Sequence, residues 1–169
     1  MARALWGPRS RLGAIVALTV FVVDQAVKHW LLFVYVIGLR GRVEITPFFD
    51  IVLAWNIGVS YGLFAGDSQE WQWVLAGFSV VVSIGLWVWL ARIRDDLAAW
   101  ALALVIGGAL GNALDRVLHG AVADFFSLHF MGFYWYVFNV ADVAIVAGVL
   151  LLLYDAFFGS GRASGAGKA

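Results

Sequence analysis

The chain of 169 residues contains no cysteine. This absence excludes disulfide bonds, thiolate nucleophiles and cysteine-ligated metal sites. Histidine is scarce too, and the three histidines, His29, His119 and His129, show neither the HxxxH nor the HExxH spacing of zinc hydrolases. We therefore expect neither a metal nor any other cofactor. The formal net charge of zero gives no indication that nucleic acid is a partner.

Charged side chains are also few, at 13% of the residues, whereas 63% of the residues are hydrophobic. A soluble domain is closer to half apolar, and the mean hydropathy of this chain is +0.91. One small core has no room for so many apolar residues, so lipid must be the solvent for much of their surface. The length predicts a single domain.

Four apolar stretches meet the requirement of roughly 20 residues for a helix that crosses a bilayer. They lie at about residues 12–36, 71–91, 97–116 and 137–158. The sequence therefore predicts one polytopic membrane domain over residues 1–158. A tail of small residues follows at 159–169, and we expect it to be flexible.

Basic residues are distributed unequally between the two ends of these spans. Seven of them fall on one side, namely Arg3, Arg9, Arg11, Arg92, Arg94, Arg162 and Lys168. The other four are Lys28, Arg40, Arg42 and Arg116. Because cytoplasmic segments carry the excess of basic residues, both termini and the turn at 92–96 are predicted to be cytoplasmic.

The first span shares one feature with a secretory signal peptide, because arginines precede its apolar run. However, the run carries Asp24 and Lys28, and no clean small-residue cleavage site ends it. We therefore interpret the first span as a retained helix.

Two segments between the spans are rich in aromatic residues. Arg42–Ala65 alternates β-branched and aromatic residues with Pro, Asn and Gly, which predicts short strands. Phe125–Tyr136 has a similar aromatic content. Tyrosine and tryptophan are enriched where a membrane meets water, so we expect both segments to lie at the level of the lipid headgroups.

Two carboxylates, Asp124 and Asp142, stand at the edges of apolar stretches. Carboxylates at membrane depth are costly and usually functional, and two that share one proton can activate a water as in an aspartic protease. No basic residue lies within a turn of Asp142, which favours its protonated form, whereas Asp124 is nearer to water. Coupled titration leaves the location of the shared proton open. Two unrelated structural carboxylates are the alternative interpretation.

Other polar residues also lie in the predicted spans. Asp24 and Lys28 share one helical face and form either a structural ion pair or a substrate contact. In the third span, Asn112 shares a face with Asp115 and Arg116, although the latter two residues alone would mark only the aqueous end of a helix. The same span carries Gly107, Gly108 and Gly111, which predict close packing of helices in a bilayer.

Four ordered blocks of the sequence resemble the lipoprotein signal peptidase family, also called signal peptidase II. The blocks are DQAVKHW at Asp24–Trp30, NIGVSYGLF at Asn56–Phe64, GGALGNALDRVLHGAVADFF at Gly107–Phe126 and FNVADVAIVAG at Phe138–Gly148. Departures from the family pattern are mild and fall at Val27, Tyr61 and Ala123. None of these departures replaces a carboxylate or an amide of the pattern.

The resemblance implies an all-α membrane protein, a four-transmembrane-helix bundle with a small periplasmic β-cradle at the outer membrane surface. Arg42–Ala65 would supply most of that cradle. The implied activity is that of an intramembrane aspartic endopeptidase of the bacterial cytoplasmic (inner) membrane. It would cut diacylglyceryl-modified prolipoproteins on the N-terminal side of the lipidated cysteine, close to the periplasmic face. We expect a monomer in contact with membrane lipid.

The resemblance also assigns roles to individual residues. Asp124 and Asp142 would be catalytic. Seven further positions would bind substrate or shape the site, namely Asn56, Gly58, Asn112, Arg116, Asn139, Asp24 and Lys28. By hydrogen-bonding chemistry, Asn112 and Asn139 suit the orientation of a carboxyl group or of the substrate backbone, and Arg116 suits either a substrate oxygen or the bracing of a loop.

Two other classes of protein are alternatives to a protease. A small transporter or channel also places polar residues inside a helical bundle, but transporters commonly show internal repeats, and none is visible in this sequence. A purely structural membrane subunit would leave the four polar blocks without an explanation.

Overall fold

Four long helices form the membrane-spanning part of the computed structural model, which describes residues 5–58 and 68–158. Helix α1, Ser10–His29, continues as a π-helical turn at Trp30–Val34, and a short α2 follows at Ile37–Arg40. The other long helices are α3, Gln69–Leu90, α4, Asp96–His119, and α5, Val140–Phe158. Within the described ranges, α1 with its π-turn, α3, α4 and α5 are long and apolar enough to cross a bilayer. The predicted four-span bundle is therefore confirmed.

The ends of two helices differ from the sequence-based bounds because capping residues set them. Helix α4 begins at Asp96 because the Asp95 carboxylate accepts a hydrogen bond from the N–H of Ala98 at 2.8 Å. It extends past residue 116 to His119 and is terminated by Gly120, which has a left-handed φ of 70°. Helix α5 begins at Val140 rather than at 137, since Asn139 serves as its N-cap.

Helix α4 is the centre of the bundle and is mostly buried, whereas the other three long helices present most of their surface outward. Glycines allow its neighbours to approach closely, as the sequence predicts. A Cβ at Gly107 would lie 2.6 Å from the carbonyl oxygen of Ala17 on α1, and a Cβ at Gly108 would lie 2.5 Å from that of Ala141 on α5. The catalytic candidates are carried by elements that pack on this helix.

A four-stranded antiparallel sheet covers one end of the bundle. Its strands are β1, Val43–Thr46, β2, Phe49–Asn56, β3, Val122–Phe130, and β4, Phe133–Tyr134, in that spatial order. The small β-cradle is thus confirmed, and β1 and β2 come from Arg42–Ala65 as predicted, whereas β3 and β4 come from a different part of the chain. Residues 59–65 of that segment and the tail at 159–169 lie outside the described residues.

Strand β3 escaped the sequence analysis because its turn carries no strong hairpin signal. Strands β3 and β4 are joined by Met131 and Gly132, which have φ values of 49° and 83°, and positive φ at both central residues is the geometry of a tight hairpin turn. The sequence at this turn is Met-Gly rather than the Asn-Gly or Asp-Gly that marks such turns most clearly. The consequence is functional, because Asp124 lies on β3, where it pairs with Ala54 of β2.

Candidate active site

Asp124 lies near the start of β3 and is almost fully buried, with 2% of its surface exposed. Its two carboxylate oxygens accept hydrogen bonds from two different asparagines. Asn139 Nδ2 donates to Oδ1 at 2.6 Å, and Asn56 Nδ2, from the end of β2, donates to Oδ2 at 3.2 Å. The antiparallel pairing of β2 with β3 brings Asn56 to this position, since Asn56 pairs with Val122.

Asp142 lies in the first turn of α5 and is half-buried. Asn139 Oδ1 accepts the N–H of Asp142 at 2.9 Å, and Asp142 Oδ2 accepts the N–H of Asn139 at 3.3 Å. This reciprocal pair is a capping box, which holds both side chains at the start of the helix. Asn112 Nδ2, from α4, donates to Asp142 Oδ1 at 2.8 Å.

A chain of amide hydrogen bonds joins the surroundings of the two carboxylates. Asn139 Nδ2 donates both to Asp124 and, at 3.1 Å, to Asn112 Oδ1. Lys28 Nζ also donates to Asn112 Oδ1 at 3.1 Å. Because two donors occupy the oxygen of Asn112, its NH₂ group is directed to Asp142. The two aspartates are therefore held by one hydrogen-bonded network.

The electrostatic environment of Asp124 disfavours a negative charge. Burial, and secondly the charge of Asp142, raise the pKa of Asp124 from its ordinary value of 3.8 to about 7. Hydrogen bonds from Asn56 and Asn139 and the charge of Lys28 act in the opposite direction without cancelling this rise. A buried carboxyl beside a second carboxyl therefore titrates near neutral pH, which suits a group that must hold and release a proton.

Arg116 lies at the same end of α4 and is buried. Its Nη2 donates to the carbonyl oxygen of Gly58 at 2.9 Å, and its Nη1 donates to the carbonyl oxygen of Asn112 at 3.2 Å. The N–H of Gly58 in turn donates to Asn56 Oδ1 at 3.1 Å. These contacts correspond to the bracing role considered for Arg116. Helix α4 continues to His119, so Arg116 does not mark an aqueous helix end.

Asp24 and Lys28 form an ion pair on α1, with Nζ 2.8 Å from Asp24 Oδ2. Both side chains are buried. Lys28 Nζ also lies 2.8 Å from Asp115 Oδ2 on α4. Removal of the Asp24 charge would therefore leave Lys28 paired with Asp115.

Two cavities meet at Asp142. The smaller one, about 240 Å³, lies between α3, α4 and α5, and its lining includes Asn56, Gly58, Asn112 and Arg116. The larger one, about 940 Å³, is a mostly apolar groove between the sheet and α5. Asp142, Tyr136 and Val146 line both. The apolar walls of the larger cavity are formed by residues of β3, β4 and α5 and their neighbours, among them Phe130, Phe133, Trp135, Phe138 and Leu150.

All nine residues assigned from the sequence thus lie in one region, within hydrogen-bonding reach of at least one other member. One polar cluster of the sheet was missed. Asp50 on β2 is buried; it forms a salt bridge with Arg42 at 2.6 Å and lies within hydrogen-bonding distance of His129 Nε2 at 3.1 Å. A charged residue near the start of a strand otherwise rich in apolar residues was the available signal.

Sequence comparison gives a consistent result over most of the chain. The family described as Signal peptidase (SPase) II matches residues 16–158. A lipoprotein signal peptidase of Nitrobacter hamburgensis is 51% identical over 151 residues, which cover 87% of this chain and 92% of the relative. One of Methylocella silvestris is 49% identical over 156 residues, which cover 92% of this chain and 91% of the relative.

Two solved structures, both described as bacterial membrane enzymes, are similar in fold. The first has a TM-score of 0.72 at 24% identity, and the match covers 94% of this chain and 93% of the other. The second has a TM-score of 0.68 at 26% identity, with coverage of 87% and 93%. The arrangement of four helices and a small sheet is therefore shared with known membrane enzymes.

Proposed function

The chain belongs to the signal peptidase II family, and from this premise we propose that Asp124 and Asp142 are the catalytic pair with which it cleaves signal peptides from lipoproteins. The chain is thus a protease of the aspartic class. The observation that carries the assignment is the single amide network that holds both carboxylates, in which Asn139 donates to Asp124 and forms the capping box with Asp142. Asp142 also lines both cavities, which offer room for a substrate beside it.

The proposed mechanism is general acid–base hydrolysis of a peptide bond. Asp142, in its ionised form, takes a proton from a water molecule as the water oxygen attacks the scissile carbonyl carbon. Asp124 carries the shared proton and donates a hydrogen bond to the carbonyl oxygen, which gains the electron pair of the C=O bond. When the C–N bond breaks, the leaving nitrogen takes a proton from the pair, and the carbonyl group forms again as a carboxylic acid.

The two environments support the placement of the shared proton on Asp124. The pKa of Asp124 is raised to about 7, first by burial and then by Asp142. Asp142 lies at the N-terminus of α5, where the helix dipole favours a negative charge, and it accepts hydrogen bonds from Asn112 Nδ2 and from a backbone N–H. This assignment is the reverse of the one that the sequence pattern favours.

The remaining site residues position these groups rather than react. We propose that Asn56, Asn112 and Asn139 orient the two carboxyl groups, to which each donates directly. Arg116 would hold Gly58 and so the end of β2. Lys28, paired with Asp24, would fix the amide of Asn112. The hydrogen bonds and the ion pair named here support these roles.

The test of the catalytic pair uses purified protein in detergent with a lipidated precursor as substrate. Asp124→Asn and Asp142→Asn should each lower kcat by at least about a thousandfold, because an amide neither takes up nor releases the required proton. The double variant should be little worse than either single one, since the two residues act as a unit. Asp155→Asn, at the other end of α5, is the matched control and should retain normal turnover. Near-normal turnover by Asp142→Asn would exclude the assigned pair.

We further propose that the substrate is a diacylglyceryl-modified prolipoprotein, cut on the N-terminal side of the lipidated cysteine. The apolar groove of about 940 Å³ supports this proposal, because it leads from Asp142 along α5 and offers contact to acyl chains that a bare peptide lacks. The smaller, more polar cavity would receive the peptide around the scissile bond. An acylated precursor should therefore be cleaved much faster than the unmodified one, and equal rates would contradict the proposal.

A substitution in the groove separates acyl binding from catalysis. Ala147 lines the groove on α5, whereas Val149 on the same helix is exposed and lies outside both cavity linings. Ala147→Phe should fill part of the groove and raise KM for the acylated precursor about tenfold, roughly the loss of one well-buried apolar contact. Val149→Phe should leave KM unchanged. An equal effect of the two substitutions would mean that the groove does not hold the acyl chains.

The protein is a multi-pass membrane protein, and we propose that it is a monomer of the bacterial inner membrane with both termini in the cytoplasm. Arg9 lies 2.6 Å from Asp96, so the start of α1 and the α3–α4 turn share one end of the bundle. The proposed active site lies at the opposite end, which would be periplasmic, and one chain supplies all of its residues. Reporter fusions at residue 1 and after Lys168 should both give cytoplasmic signals, and an external signal from either would contradict this orientation.

A further inference from the structure

The residues just before the two proposed catalytic aspartates are held by one buried ionic cluster. Asp115 Oδ2 accepts the backbone N–H of Ala123 at 3.1 Å, and Asp24 Oδ1 accepts the backbone N–H of Ala141 at 2.9 Å. Lys28 Nζ joins these two carboxylates, at 2.8 Å from each. The backbone preceding Asp124 on β3 and the backbone preceding Asp142 on α5 are therefore bound to the same ammonium group through one carboxylate each.

Gln25 completes this cluster. Its Nε2 donates to Asp24 Oδ2 at 3.1 Å, to Asp115 Oδ1 at 3.0 Å and to the carbonyl oxygen of Gly111 at 3.2 Å. Two carboxylates that share one ammonium group repel each other, and an amide N–H placed between them offsets part of that repulsion. All four carboxylate oxygens of Asp24 and Asp115 thus accept at least one hydrogen bond.

We propose that Gln25 and Asp115 are positioning residues of the protease, because with Asp24 and Lys28 they set the separation of the two backbone segments that carry Asp124 and Asp142. The proposal rests on the assignment of that pair. A buried ionic cluster contributes little net stability, because its desolvation cost is of the same order as its attraction. Its distinct contribution here is geometric. The hydrogen bonds from Ala123 and Ala141 to these carboxylates fix the position of the two backbone segments.

Close packing supports the geometric role. A Cβ at Gly111 would lie 2.6 Å from Asp24 Oδ2, so the absence of a side chain lets this carboxylate reach α4. Consecutive Cα atoms are about 3.8 Å apart, and a shift at Ala123 or Ala141 therefore passes almost undiminished to the adjacent aspartate. A misplacement of about 1 Å at reacting groups costs on the order of a hundredfold in rate.

The test compares kcat and KM in the full-length protein, purified in detergent, with an acylated precursor as substrate. Gln25→Met keeps the length and volume of the side chain but removes the amide donor, and it should lower kcat about tenfold while KM stays within about twofold. Asp115→Asn should lower kcat about a hundredfold. Thr19→Val on α1 removes a hydrogen bond to the carbonyl oxygen of Ile15 and is the matched control with unchanged kcat.

Coupling between the substitutions distinguishes positioning from general loss of structure. Because Gln25 and Asp115 act through one cluster, the double variant should lose much less than the product of the two single effects. Thermal stability measured beside kcat shows which variants remain folded. An unchanged kcat for folded Gln25→Met would overturn the proposal. So would a fall in the kcat of Gln25→Met that Thr19→Val shows equally. Neither result would contradict the assignment of the catalytic pair. Activity in Asp124→Asn would instead refute the pair on which the proposal rests.

Discussion

The raised pKa of Asp124 predicts how the stability of Asp124→Asn, compared with the wild type, depends on pH. The free energy of unfolding of the variant relative to the wild type should be greater at high pH than at low pH. The folded protein holds this proton up to a pH of about 7, whereas an unfolded chain releases it near 3.8. Protons bound only in the folded state stabilise it, and this contribution is complete below the unfolded pKa and is lost as the pH rises to the folded pKa. The variant carries no such proton, so its stability lacks this pH dependence.

The magnitude follows from the interval between the two pKa values. Most of the change in stability falls between pH 5 and pH 7, where each pH unit changes the free energy of unfolding by about 1.4 kcal/mol. From pH 5 to pH 8, the free energy of unfolding of the variant should therefore rise by about 3 kcal/mol relative to the wild type. The replacement also perturbs the hydrogen bonds from Asn56 and Asn139. That cost is the same at both pH values, so it cancels in the comparison.

The assay is unfolding in a nonionic detergent at pH 5 and at pH 8, with three proteins compared at each pH. Asp155→Asn on α5 serves as the control for removal of a carboxyl group remote from the site, and its stability should follow the wild type at both pH values. A stability difference between Asp124→Asn and the wild type that stays constant within about 1 kcal/mol from pH 5 to pH 8 would refute the reasoning. The shared proton would then not lie on Asp124.

Three further predictions concern the metal, the ionic cluster and the packing of the bundle. Activity in detergent should be unchanged by EDTA, and loss with rescue by a single divalent ion would contradict the aspartic mechanism. Lys28→Met should lower stability by about 3–5 kcal/mol, because it removes the ammonium group that both Asp24 and Asp115 contact; a smaller loss is expected for Asp24→Asn, and thermal unfolding ranks them. Gly108→Ala should destabilise the fold by about 1–3 kcal/mol, whereas Gly85→Ala, where a Cβ meets nothing within 4 Å, should not.

Much of the site was predictable because its residues stand in sequence blocks with strong local signals. Asp24 and Lys28 are four residues apart, a spacing that places them on one helical face in any helix. Asn139 and Asp142 are three residues apart at the start of an apolar run, and the structure shows them as a capping box. Local periodicity and capping are short-range effects, so the sequence alone was enough to pair these residues.

The role of Asp115 was not predictable in the same way. Its partners are Lys28 on another helix and the backbone N–H of Ala123 on a strand. The sequence pairs Lys28 with Asp24 and leaves Asp115 as a charge near a helix end. Contacts between distant segments depend on how α1 and β3 pack against α4, and side-chain spacing along the chain carries no information about that packing.

The sequence by itself determined that lipid surrounds much of the protein, how many spans there are and which two aspartates are the candidates. Apolar runs and the blocks that resemble the family are properties of the chain alone. Tertiary structure alone decided that β3 carries Asp124 beside β2, that Asn139 joins it to the network of Asp142, and that a groove along α5 ends at that carboxylate. The pKa of Asp124 belongs to this second group. Burial and a neighbouring charge raise it, and both exist only when separate segments of the chain are brought together.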